Sequence, residues 1–75
     1  MPLITVKLIK DVFSPEQQQE IIQKLTDTMV AIEGENLRPV TWVTIEEVNQ
    51  GAWGIGGQAL TAADVHRLQR GDAAA

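Results

Sequence analysis

Cysteine is absent from this chain, and histidine occurs once, as His66. Disulfides are therefore excluded, and one histidine without cysteine cannot form a usual zinc site, so no metal is expected. Basic residues are few: six Lys and Arg stand against ten Asp and Glu, which gives a formal net charge of −4. Because a nucleic-acid surface needs a basic stripe, this balance argues against a nucleic-acid partner.

Long apolar runs are also absent and no signal peptide is visible, so we expect no membrane partner and a cytoplasmic location. The hydrophobic content of 44% nevertheless indicates an ordered chain. We expect a single domain, residues 1–75, in which residues 70–75 form a disordered tail. A domain this short has a small core. With no disulfide or metal, it needs oligomerisation as its stabilising device.

The first half of the chain predicts a strand and a long helix. Residues 3–9 alternate in hydropathy as a strand does. Ser14-Pro15-Glu16-Gln17 has the pattern of a capped helix start and Gly34 is typical of a helix end, which predicts a helix over residues 15–33. The apolar stripe of this helix consists of Ile21, Ile22, Leu25, Met29 and Ile32.

The second half predicts a loop at residues 35–39 and a β-branched strand at residues 40–48, which gives a right-handed crossover with parallel strands. Four glycines within residues 51–57 indicate a tight turn or hairpin anchored by Trp53, and residues 60–70 have a short-helix pattern. The predicted fold class is α/β (α+β), a β-α-β subunit followed by a glycine-rich turn or hairpin. Two parallel strands and one helix leave sheet edges and faces uncovered, so partner chains must complete the fold.

Pro2 is the candidate catalytic residue. An initiator methionine is usually removed when a small residue follows, and removal of Met1 would leave Pro2 with a free secondary amine. An apolar pocket lowers the pKa of such an amine, and a neutral amine can take a proton next to a carbonyl and return it elsewhere. The simpler interpretation is that Pro2 only heads a strand, where proline does least harm. By similar reasoning, Trp42 is a packing residue and His66 is solvated surface.

Three segments together resemble the 4-oxalocrotonate tautomerase family, over roughly residues 2–60. They are Pro2 ahead of an alternating strand, Ser14-Pro15-Glu16-Gln17 at a helix start, and the glycine-rich turn Gly51-Ala52-Trp53-Gly54-Ile55-Gly56-Gly57. The resemblance implies a homo-oligomer, a dimer or a hexamer, that needs no cofactor. It also implies a proton shuttle on a small enol or unsaturated keto acid, with Pro2 as the base and Trp53 as an apolar wall.

The chain departs from this family at both of its typical arginines. Phe13 stands where one arginine holds a substrate carboxylate, and Trp42 stands where the other polarises a carbonyl, which leaves Lys10 and Arg38 as the nearest cations. We therefore predict a tautomerase that acts on a less charged or aromatic enol, with substrate-binding residues Phe13, Arg38, Trp42 and Trp53. Two alternatives stay open: a proline-dependent hydratase or dehalogenase of unsaturated acids, and a non-catalytic subunit of a hetero-oligomer.

Overall fold

The computed structural model describes residues 1–71 and has the predicted β-α-β order. Strands β1 (Leu3–Ile9) and β2 (Trp42–Val48) are parallel, in a register that places Leu3 opposite Trp42 and Ile9 opposite Val48. Helix α1 (Pro15–Glu33) connects them. The predicted bounds of β1 and α1 and the parallel arrangement are confirmed.

Capping contacts at both ends of helix α1 come from the residues that the sequence marks as its start and its end. The Ser14 hydroxyl accepts a hydrogen bond from the Gln17 N–H at 3.1 Å, and the Gln17 side chain accepts one from the Ser14 N–H at 2.9 Å. At the other end Gly34 has a φ of 108°, which glycine adopts without steric cost, and its N–H donates to the Val30 carbonyl at 2.8 Å.

The link from α1 to β2 differs from the prediction. A 3₁₀ helix, Glu35–Val40, occupies the predicted loop, so β2 begins at Trp42 rather than at residue 40. Helix α1 contacts this 3₁₀ helix as well as β2. Val30, which the predicted stripe omitted, is only 4% exposed, whereas Ile32 is 79% exposed. The assignment of Ile32 to the buried stripe is wrong.

The glycine-rich segment forms a hairpin of β3 (Trp53–Ile55) and β4 (Gln58–Leu60). Its two-residue loop has φ of 58° at Gly56 and 85° at Gly57, the paired positive values that a type I′ turn requires. Helix α2 (Ala62–Gln69) follows, and a reciprocal capping box between Thr61 and Asp64 begins it. The predicted hairpin and short helix are confirmed. Of the predicted tail, Arg70 and Gly71 form a turn after α2, and residues 72–75 lie outside the described residues.

A small buried cluster of the described chain lies at the carboxyl end of β1. Ile9, Val12 and Ala62 form a buried cluster there, so the start of α2 packs against β1 and the connector that follows it. The Cα radius of gyration is 15.2 Å, whereas a compact domain of this length has a radius of about 11 Å. The protomer is therefore elongated, with little of its apolar surface buried. No helix in residues 1–71 combines the length and the hydropathy needed to cross a bilayer.

Candidate active site

Pro2 lies immediately before β1, beside the first residue of β2. Its carbonyl accepts a hydrogen bond from the Trp42 N–H at 3.1 Å, which fixes the head of β1 against β2. Leu3 and Trp42 stand opposite one another on the outer face of the sheet, and each is 59% exposed. We call Pro2, Leu3 and Trp42 the proline patch. It places the candidate base next to exposed apolar surface.

A second apolar feature lies at the opposite end of β1. It is an open groove of about 270 Å³, which we call the aromatic groove. Its lining includes Lys7, Ile9, Val12, Phe13, Trp53 and Leu60. Phe13 and Trp53 also pack against the buried cluster of Ile9, Val12 and Ala62. Two of the predicted substrate-binding residues are therefore brought together, and their surroundings are apolar.

Within one protomer the proline patch and the aromatic groove do not meet. Pro2 precedes Leu3, whereas Trp53 packs against the cluster of Ile9, Val12 and Ala62 at the far end of β1. A strand of this length spans roughly 20 Å. The Trp53 ring of the same protomer therefore cannot be the apolar wall around the Pro2 nitrogen. Both residues were assigned to one site from the sequence. The sequence could not predict this separation, because it contains no distance between the two side chains.

Arg38 is engaged by two carboxylates on the surface of the protomer. Its guanidinium donates to Glu35 at 2.6 Å and to Asp27 at 2.8 Å. The hydrogen bond from Arg38 lowers the pKa of the Glu35 carboxyl below its ordinary value, and the same contacts raise the pKa of Arg38. Arg38 therefore stays charged, but a substrate carboxylate would have to compete with both partners. Lys10, the other cation expected near the site, is exposed just after β1.

Gln50 links two segments beside the aromatic groove, the connector after β1 and the start of α2. Its side-chain N–H donates to the Asp11 carboxylate at 3.1 Å, and its side-chain oxygen accepts the Ala62 N–H at 2.9 Å. Asp11 has a φ of 72°, in the left-handed region that aspartate tolerates better than most residues. Gln50 thus ties the connector that carries Phe13 to the start of α2. No pattern in the sequence marks it for this role.

His66 makes a second contact between α2 and the same connector. The residue is half-buried, and its Nε2 lies 3.3 Å from the Val12 carbonyl oxygen. The prediction that His66 is solvated surface is wrong, because α2 turns this side chain inward onto the connector. The capping box that begins α2 predicts the helix but not which of its faces meets the connector.

Comparison with known proteins agrees with this architecture. A family model described as tautomerase enzyme matches residues 2–63. The chain is 36% identical over 61 residues to a probable tautomerase K2 of Dickeya dadantii strain 3937, which covers 81% of this chain and 90% of the relative. It is 33% identical over 72 residues to a probable tautomerase of Helicobacter pylori strain ATCC 700392 / 26695, covering 93% and 97%. A crystal structure of apo unfused 4-OT superposes with a TM-score of 0.70 at 31% identity, covering 84% of this chain and 97% of that one.

Proposed function

The chain belongs to the tautomerase family, and on that premise we propose that it is a cofactor-independent tautomerase whose base is the amino-terminal nitrogen of Pro2. The proposal requires that Met1 be removed, because the nitrogen of Pro2 behind Met1 is an amide without a usable lone pair. The observation that carries it is the position of Pro2, at the head of β1 and against exposed apolar surface of Leu3 and Trp42.

The proposed reaction is a proton transfer that leaves the composition of the substrate unchanged. The neutral Pro2 amine accepts the proton of the enol hydroxyl, which leaves an enolate and a Pro2 ammonium. As the oxygen electrons move inward to form the carbonyl, the electron pair of the carbon–carbon double bond takes a proton from the Pro2 ammonium at carbon, which regenerates the neutral amine. Apolar walls favour this chemistry because they disfavour the charged form of the amine and so lower its pKa.

A second copy of the chain supplies the missing wall in this proposal. Since Pro2 and Trp53 of one protomer stand at opposite ends of β1, the aromatic groove of a neighbouring copy would cover the proline patch. The elongated protomer and the exposed Leu3 and Trp42 support such an assembly, a homo-oligomer of two or six chains. In this arrangement Trp42 lines the site from the same protomer as Pro2, while Phe13 and Trp53 line it from the neighbour.

The proposed substrate is an enol or unsaturated keto acid that is apolar or aromatic in character. Phe13 and Trp42 offer rings where relatives of the 4-oxalocrotonate tautomerase type are expected to hold a second carboxylate and a carbonyl. Arg38 lies in the 3₁₀ helix that leads into β2, at the end of β2 where Trp42 stands. It would bind substrate only by giving up Glu35 or Asp27.

The experiment compares the ketonisation of phenylenolpyruvate with that of 2-hydroxymuconate, a dicarboxylic dienol. We expect turnover of the first compound and a rate lower by orders of magnitude on the second. Fixed cations that stabilise the charge of a transition state commonly raise the rate by that factor. Phe13→Arg should raise the relative rate on the dicarboxylate, and Phe13→Leu serves as the matched control that adds no charge. Efficient turnover of 2-hydroxymuconate by the unaltered protein would contradict the substrate assignment. No turnover of either compound by protein lacking Met1 would favour the non-catalytic alternative.

A further inference from the structure

The basic residues of the described chain differ in how firmly their side chains are engaged. Lys24 pairs with Glu20 at 3.0 Å on α1, Arg67 pairs with Asp64 on α2, and Arg38 has the two partners described above. Lys7 differs from these three in its place and in its partner. Among residues 1–71 it is the one charged residue that lines the aromatic groove, beside Phe13 and Trp53.

We infer that Lys7 binds a carboxylate of the ligand whose apolar body lies in the aromatic groove. The inference rests on the proposed function and narrows its substrate class to acids with one carboxylate on an apolar or aromatic body. A groove that is lined by one cation and otherwise by aliphatic and aromatic side chains of the described residues matches such a molecule in charge and in polarity. Its volume of about 270 Å³ suits a small ligand.

The ion pair between Lys7 and Glu46 is weak enough for a ligand carboxylate to displace Glu46. Lys7 stands opposite Glu46 in the parallel register, and its Nζ lies 3.9 Å from the Glu46 carboxylate, at the outer limit for an ion pair. Both side chains are more than half exposed, and exposed pairs of this kind contribute little. A ligand carboxylate held by contacts of its apolar body in the groove would therefore compete successfully with Glu46. The alternative is that Lys7 and Glu46 form only a cross-strand surface pair.

The test measures binding of two unreactive probes, 3-phenylpropionate and its neutral isostere 3-phenylpropionamide, by chemical-shift titration of the Trp53 indole N–H. We expect the acid to bind about tenfold more tightly than the amide, as a charge-assisted contact allows. Lys7→Met should abolish this difference and leave amide binding unchanged, whereas Lys7→Arg should retain it. Glu46→Gln should tighten acid binding severalfold, because it removes the competing carboxylate.

Lys24→Met is the matched control, since it removes the same charge from the outer side of α1. It should leave the preference for the acid intact. Equal loss of the preference in Lys24→Met and Lys7→Met would mean that net charge is responsible, and an undiminished preference in Lys7→Met would overturn the inference. If Lys7→Met does not fold, the unaltered protein decides: equal binding of acid and amide contradicts the role of Lys7. These measurements need no turnover. Failure of the proposed function would appear as a lack of Pro2-dependent activity, whereas failure of the inference on Lys7 would appear in ligand binding.

Discussion

Substitution of Trp42 tests whether the outer face of the sheet is an interface. Trp42 leaves 59% of its surface exposed in the protomer. For a side chain of roughly 250 Å², this is about 150 Å² that a neighbouring copy can cover. At about 25 cal/mol per Å², covering it stabilises association by about 3–4 kcal/mol per protomer. Trp42→Ser removes nearly all of this area and places a hydroxyl in the interface.

Sedimentation velocity over a range of protein concentrations measures the effect. The unaltered chain should sediment as a dimer or larger at micromolar concentration, and Trp42→Ser should weaken association by at least about a hundredfold. Trp42→Phe, which keeps an aromatic ring on the same face, is the matched control and should stay close to the unaltered chain. The outer face of the sheet is not an interface if Trp42→Ser associates as tightly as Trp42→Phe, or if the unaltered chain is a folded monomer.

Three further predictions concern stability. Ser14→Ala removes the side-chain acceptor of the Gln17 N–H and should lower the free energy of unfolding by about 1 kcal/mol in chemical denaturation, while Ser14→Asp should retain most of it. Gln50→Leu leaves the Ala62 N–H without its acceptor and should cost about 1–3 kcal/mol, with faster amide hydrogen exchange in α2 than elsewhere. Hydrogen bonds from Thr61 lower the pKa of Asp64, so its stabilising effect is full above the ordinary Asp pKa of about 3.9 and is lost as pH falls through the lower, folded-state value. An acid titration of Asp64→Ala by NMR should therefore show less pH dependence of the α2 amides than the unaltered chain.

Local patterns were sufficient to predict most of the fold. The capping box at Ser14, the positive φ that Gly56 and Gly57 supply, and the alternation of β1 act over a few residues, so each can be read without tertiary structure. Ile32 was assigned wrongly and Val30 was omitted, because the spacing of apolar residues along a helix does not show which elements pack against it. His66 was assigned wrongly because polar composition does not indicate which side of α2 faces the connector.

The candidate site was less predictable because it depends on distances along and between chains. The sequence identified Pro2, Phe13, Trp42 and Trp53 as a set, but not that β1 separates Pro2 from Trp53. Nor did it single out Lys7, because one lysine in an alternating strand is ordinary. Its significance comes from the groove that the hairpin and α2 form beside it.

The most direct measurement of the central claim blocks the nitrogen of Pro2. Two preparations are compared by the rate of phenylenolpyruvate ketonisation, one with Met1 removed, as intact mass verifies, and one with an extra residue retained ahead of Pro2. A Pro2→Ala preparation, which keeps a primary amine, is expected to retain part of the activity. The prediction is that blocking lowers kcat/KM by at least about a hundredfold, as loss of a general base does, while sedimentation stays the same. Equal rates in the blocked and the free protein would contradict it and would leave Pro2 as no more than the head of a strand.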